Sequence, residues 1–323
     1  MTTQYDMFAA ADDSSLKSRD SSTPGRIPKN AQSEGEMVEQ LVATGRYRIL
    51  KKLEPRNVVD GASSSHPLRA VILDTETTGL DHRKDEVIEI GVVSVAFNDQ
   101  GEVGNVVGVY GGLQQPGTPI PAEITRLTGI TDDMVAGKMI DMQAVQQMLD
   151  GADLVIAHNA GFDRPFCEAF SKTFAGKAWA CSVSEVDWMA RGFEGTKLAY
   201  LIGQAGYFHD GHRAVDDCFA LLEVLALPAS DSSGTALREL YRASQQSRVR
   251  IYAENSPFDM KDRLKARRYR WSDGSDGRPK SWWLEVGEEG LDAELQYLRT
   301  EIYRYPDADP PIKRLTAFDR FRA

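Results

Sequence analysis

Three short stretches gather acidic side chains and histidine at the ends of apolar runs. The first is Asp74-Thr75-Glu76-Thr77-Thr78-Gly79, which follows the apolar segment RAVIL. Side chains alternate along an extended chain, so Asp74 and Glu76 point to the same side. Two carboxylates on one face repel each other and cost stability unless a cation lies between them. The second stretch is His158-Asn159-Ala160-Gly161-Phe162-Asp163, delivered by the apolar LVIA, with Asp163 opening the next helix. Alone, such an Asp reads as an N-cap. The third is His212-Arg213-Ala214-Val215-Asp216-Asp217, at the head of an apolar helix. Alone, His212 reads as a capping or surface histidine. Together, Asp74, Glu76, Asp163 and Asp217 are hard oxygen donors suited to divalent cations, and His212 supplies a base beside them.

The elements that must position these groups alternate between strand and helix patterns. RAVILD, EVIEIGVVSVAF and VVGVYGGL read as strands, followed by helical AEITRLTG and MQAVQQMLD. LVIAHNA reads as a buried strand that leads into FDRPFCEAFSKTF, a helix with Phe162, Phe166, Cys167 and Phe170 on one face. WACSV is a further strand, and KLAYLIGQAG and AVDDCFALLEVLA are helices. Three meandering strands followed by α/β alternation predict one mixed sheet covered by helices. The expected organisation is a disordered tail over 1–33, a helix–strand extension and linker over 34–66, and the α/β domain over 67–227. A linker or helix follows over 228–246, then a small α+β accessory domain over 247–323.

Composition narrows the class. The chain has 323 residues, of which 41% are hydrophobic and 27% charged, an ordinary globular balance that excludes collagen-like and disulfide-scaffold proteins. Its apolar runs fall short of the ~18 residues that cross a bilayer. Cys167, Cys181 and Cys218 form no C-x-x-C pair, which points to a reducing compartment, by default the cytoplasm. The net charge of −10 is unevenly spread, with eleven basic and twenty-three acidic side chains over 66–230. Such a domain repels nucleic acid unless some of its carboxylates hold metal ions.

DTETTG, HNAGFD and HRAVDD resemble, in order, the three exonuclease motifs of the DEDDh (DnaQ-like) 3′→5′ exonucleases. That family includes the proofreading subunit of bacterial DNA polymerase III. IPAEITRLTGIT and KLAYLIGQAG are also similar to family segments, and the resemblance covers roughly residues 68–227. It implies an RNase H-like fold with a five-stranded mixed β-sheet flanked by helices. It further implies that Asp74, Glu76, Asp163 and Asp217 hold two Mg2+ or Mn2+ ions, and that His212 is the general base. Asp217 rather than Asp216 matches the spacing H-x-A-x-x-D. Thr75, Thr77 and Asn159 are expected to contact the terminal nucleotide. The implied activity is metal-dependent release of 5′-mononucleotides from single-stranded DNA 3′ ends, in replication or repair. A 3′→5′ exoribonuclease of the same fold is the alternative, because these motifs do not separate DNA from RNA. A non-catalytic DNA- and clamp-binding adaptor is disfavoured by the intact acidic set.

Two further signals lie outside the α/β domain. Residues 248–283 hold ten basic and five acidic side chains, interleaved with Tyr252, Phe258, Tyr269, Trp271, Trp282 and Trp283. Basic residues among aromatics suit single-strand binding, although the same aromatics would form the core of a small domain. Near the N-terminus, Gln4-Tyr5-Asp6-Met7-Phe8 resembles the peptide by which bacterial replication proteins dock on the sliding clamp, with Gln4, Met7 and Phe8 as its anchors.

Overall fold

The computed structural model describes residues 33–322 apart from positions 60, 62–63, 230–233 and 276. The proposed clamp peptide, and all of the expected tail except Ser33, lie outside the described residues. The chain divides into two compact units, Met1–Ile49 and Leu50–Ala323. In the first, helix α1 (Glu34–Ala43) starts with a capping box, in which Ser33 and Glu36 satisfy each other's backbone N–H groups.

The second unit is built on a five-stranded sheet. Its strands are β2 (Leu68–Thr77), β3 (Val87–Phe97), β4 (Val103–Leu113), β5 (Leu154–Ala157) and β6 (Trp179–Cys181), in the order β4-β3-β2-β5-β6. The β4-β3-β2 meander is antiparallel, while β5 runs parallel to both β2 and β6. Strand β3 is buried along its whole length, which is why its sequence is a near-continuous apolar run rather than an alternation. Of the preceding YRILKKL, read as an alternating strand, only β1 (Lys51–Lys52) pairs, with the short β7 (Tyr207–Phe208).

Helices cover both faces. Helices α2 (Ala122–Thr128), α3 (Asp132–Val135), α4 (Met142–Asp150) and α5 (Ala160–Phe170) follow the meander and β5. Val145, Leu149 and Phe166 of this group pack with Val71, Leu73 and Val92 of the sheet. The short α6 (Ser182–Glu185) and α7 (Leu198–Gln204) lead to α8 (Ala214–Ala226), whose Cys218, Leu221 and Leu222 pack against Ile72, Val93 and Val95 on the opposite face. The start of α8 lies against β3 because residue 91 is glycine. A Cβ there would sit 2.3 Å from the carbonyl carbon of Ala214. A mixed five-stranded sheet flanked by helices is the RNase H-like architecture that the motifs imply.

Within the stretch read as a linker or helix, α9 (Ala236–Gln245) buries Ala236, Leu237 and Leu240 in the same core as α8. Then comes a second antiparallel sheet, order β11-β8-β10-β9, formed by β8 (Arg248–Ala253), β9 (Arg270–Ser272), β10 (Ser281–Gly287) and β11 (Ile312–Leu315). With α10 (Lys261–Ala266) and α11 (Leu291–Tyr297), it encloses its own core of Val249, Ile251, Leu264, Leu298 and Ile302. Strands β9 and β11 were not legible in the sequence, being three and four residues long with mixed polarity. The last residues return to the larger sheet. Arg164, fully buried on α5, donates to the carbonyls of Ala317, Phe318 and Arg320. Buried Arg320 in turn pairs with Glu185.

Candidate active site

The strand β2 delivers Asp74 and Glu76 to one face, as alternation requires, and α8 brings Asp217 to the same face. Carboxylate oxygens of these three residues all lie within 4.8 Å of one another. Asp163 arrives from the other side, on the first turn of α5. This helix starts at Asn159, whose backbone is left-handed (φ 99°), so Asp163 is not the cap. Its Oδ1 instead accepts two hydrogen bonds from Thr75, from the backbone N at 3.1 Å and from Oγ1 at 2.9 Å. The fourth carboxylate is thereby fastened to the strand that carries the first two.

Electrostatics show what the cluster lacks. Burial, then the charges of Asp163, Asp217, Glu76 and Glu89, push the Asp74 carboxyl well above its ordinary range. Glu76 is pushed up to about 8, first by burial and next by Asp217 and Glu89. Burial also raises Asp163 to about 7, against the two Thr75 hydrogen bonds that favour its charged form. Arg213 favours the charged form of Glu76 only weakly, because its guanidinium is committed to Glu89 at 2.9–3.3 Å. Like charges held this close in a buried site, with hard oxygen donors and no protein cation between them, fit a divalent ion such as Mg2+ or Mn2+.

The remaining sequence-predicted residues fall in distinct places. His212 immediately precedes the N-cap of α8; it is exposed, and its backbone is left-handed at φ 63°. A non-glycine residue holds that conformation at a cost of about 1–3 kcal/mol, and such strain gathers at functional sites. Asn159 is exposed beside the carboxylates. Thr77 is turned into the loop, where its hydroxyl donates to the Gly79 carbonyl at 2.6 Å. His158 is a structural tie, with Nδ1 at 2.7 Å from Ser182 Oγ and Nε2 at 2.7 Å from the Thr196 carbonyl.

Two participants escaped the sequence reading. His209 Nε2 lies 2.8 Å from Asp217 Oδ1, with the imidazole almost fully buried, so it fixes the orientation of one carboxylate. Glu89 stands opposite Glu76 on β3. It accepts from Arg213 and from the Ala214 backbone N at 3.1 Å, pinning the first turn of α8 to the sheet. The signal for Glu89 was present as the one acidic residue within the apolar run VIEIGVV. A buried carboxylate there needs partners.

The four carboxylates fit a nuclease-type site, and comparison with known proteins shows what this part of the chain is similar to. Residues 71–225, just under half of the chain, match the RNase_T family, described as exonuclease. DNA polymerase III subunit epsilon of Aquifex aeolicus is 29% identical over 182 residues, which is 54% of this chain and 84% of that protein. DNA polymerase III PolC-type of Thermotoga maritima is 31% identical over 186 residues, 54% of this chain but 13% of that protein. The 3′-5′ exonuclease DinG of Bacillus subtilis is 34% identical over 158 residues, 46% of this chain and 16% of that protein. The chain thus spans only a small part of the length of its PolC-type relatives.

Proposed function

We propose that residues 68–227 hydrolyse the terminal phosphodiester bond at the 3′ end of single-stranded DNA, releasing 5′-mononucleotides in replication or repair in the cytoplasm. The observation that carries this reading is the convergence of Asp74, Glu76 and Asp217 within 4.8 Å, with Asp163 fastened beside them by Thr75. Asp74, Glu76, Asp163 and Asp217 would hold two Mg2+ or Mn2+ ions. Bound there, the ions would stabilise the charge that develops on the attacking and leaving oxygens.

The chain's own residues do the rest. His212, exposed at the head of α8, takes a proton from the attacking water, a role worth about 10²–10⁴ in rate. His209 and Glu89 hold Asp217 and its helix in register. Asn159, exposed at the N-cap of α5, contacts the terminal nucleotide. Thr75 serves the site through Asp163, and Thr77 through the loop at Gly79. Gln4, Met7 and Phe8 would dock the enzyme on a sliding clamp, and a peptide spanning them should compete for that binding.

The test is digestion of a 5′-labelled single strand in Mg2+, which should yield a ladder shortening from the 3′ end, abolished by EDTA. Cleavage undiminished by excess EDTA would overturn the metal-dependent reading. A matched RNA strand cut faster than DNA would replace the substrate by RNA.

A further inference from the structure

We propose that the β9–β10 hairpin of the C-terminal sheet is a track for single-stranded DNA, holding the strand upstream of the end presented to the carboxylates. The inference rests on the exonuclease reading and adds to it the surface that retains the substrate.

Trp271 on β9 and Trp282 on β10 stand directly opposite each other, with ring centroids 5.4 Å apart. Trp282 leans on the small core, but Trp271 is 51% exposed. A core role therefore accounts for one ring and not the other. On the opposite face of the hairpin, Trp283 is ringed by cations, with Arg250, Arg278 and Arg270 at 4.8, 5.1 and 5.4 Å from its centroid, so a strand crossing the edge strand β9 meets aromatic rings on both faces. Lys265 lies 5.9 Å from the Trp282 ring. Glu285 engages Arg250, while Arg270 and Lys280 are exposed at the hairpin. Aromatic faces with arginine and lysine at their edges bind single strands by stacking bases and neutralising phosphates.

Position and charge select the occupant. The hairpin turn reaches the nuclease rim, where Arg83 Nη1 donates to the Ser275 carbonyl at 3.3 Å. Arg83 lies in the loop that leaves β2 just after Glu76. Trp271 lies four positions before Ser275, so their Cα atoms are at most about 14 Å apart. Residues 66–230 hold twenty-three acidic against eleven basic side chains, whereas 248–283 hold ten basic against five acidic. The nuclease part repels a polyanion away from its metals, and the segment 248–283, which carries the first strands of the smaller sheet and most of the hairpin, attracts one.

The experiment uses the full chain carrying Asp74→Ala, so that DNA is bound and not cut, and measures affinity for a 20-nucleotide single strand against salt. Adding Trp271→Ala should weaken binding about 5- to 100-fold, the loss of one stacked base, and Trp271→Phe should restore most of it. Arg270→Glu with Lys280→Glu should lower the slope of log affinity against log salt by roughly 1.4, at about 0.7 per phosphate contact on a single strand. In the active enzyme the Trp271→Ala effect on KM should shrink as substrates shorten below about 4 nucleotides. Unchanged 20-mer affinity and salt slope in these variants would overturn the track. Hydrolysis of p-nitrophenyl thymidine 5′-phosphate by the unsubstituted enzyme isolates the catalytic centre. Failure of that reaction with Mg2+ and Mn2+ would count against the exonuclease reading and not against the track.

Discussion

Removing divalent metal should make the protein lose stability as pH rises, and Glu76→Gln should largely abolish that loss. Glu76 has a carboxyl pKa of 4.5 in its ordinary state and about 8 in the folded chain. The folded state therefore holds a proton that the unfolded chain has released. Its contribution is fully present below about pH 4.5 and is lost as pH climbs through 8. At about 1.4 kcal/mol per pH unit the interval corresponds to at most about 5 kcal/mol. Glu76 keeps some solvent access, and screening by that water reduces the expected change to about 2–3 kcal/mol. Asp163, raised by burial to about 7, acts in the same direction. Roughly three-fifths of the change falls between pH 5.5 and pH 8, and for a chain of this size about 2 °C accompanies each kcal/mol, so the EDTA-treated protein should melt about 2–4 °C lower at pH 8 than at pH 5.5. Glu76→Gln should remove most of that difference, and millimolar Mn2+ should raise the melting temperature of the unsubstituted chain more at pH 8 than at pH 5.5. A metal-free melting temperature that is flat or rising over this range, and indifferent to Mn2+, would refute the account of the cluster as buried repulsion awaiting a cation.

His212→Ala should slow turnover by about 10²–10⁴ while leaving the Mn2+-induced rise in melting temperature intact; loss of that rise would make His212 a ligand. Gly91→Ala should cost about 1–3 kcal/mol as overpacking, because the new methyl meets the Ala214 carbonyl carbon at 2.3 Å. It should also lower kcat, since displacing α8 moves Asp217; urea denaturation and initial rates read the two effects. Arg320→Ala should destabilise by about 3–5 kcal/mol, because buried Glu185 loses its cation and the carbonyls of Ala243 and Ser244 lose a donor. A change below about 1 kcal/mol by urea denaturation would show that the C-terminal latch is ornamental.

The site was legible wherever alternation and spacing carry the information. Asp74 and Glu76 had to share a face once RAVILD was a strand, and Asp217 had to open an apolar helix. The sequence could not show which side of the sheet each element covers. Asp163 reads as a cap only when taken alone; beside the other motifs it is expected among the metal ligands, and what the sequence could not show is that its carboxylate is fastened across the strand to Thr75. Nor could it show that Thr75, expected to contact the nucleotide, donates both its N–H and its hydroxyl to Asp163. Glu89 was missed because its role is a partnership across the fold, and His209 because it lies outside the H-x-A-x-x-D spacing although only eight residues from Asp217. Glu89 meets Arg213 over a separation of 124 residues. The C-terminal latch was equally hidden, since nothing in the sequence pairs Arg164 with the carbonyls of Ala317, Phe318 and Arg320.

That latch bears on how the acidic and basic parts of the chain work together. The C-terminal sheet has its own core, which makes it look detachable. Yet α9 buries Ala236, Leu237 and Leu240 in the nuclease core, and Ala317 accepts the backbone N–H of Trp179 on β6 at 2.8 Å. The edge of the larger sheet is thereby covered by residues that come after the smaller one. Arg164, buried over the Trp179 ring at 5.7 Å, would keep its Glu168 pair but lose the carbonyls of Ala317, Phe318 and Arg320 if the tail were absent, and buried donors without acceptors are costly. The basic hairpin is thus held by the protein's own folding energy, as part of the unit Leu50–Ala323. A surface fixed at both ends of its sequence keeps a constant relation to the loop at Arg83, so each base it stacks stands at a set number of nucleotides from the carboxylates.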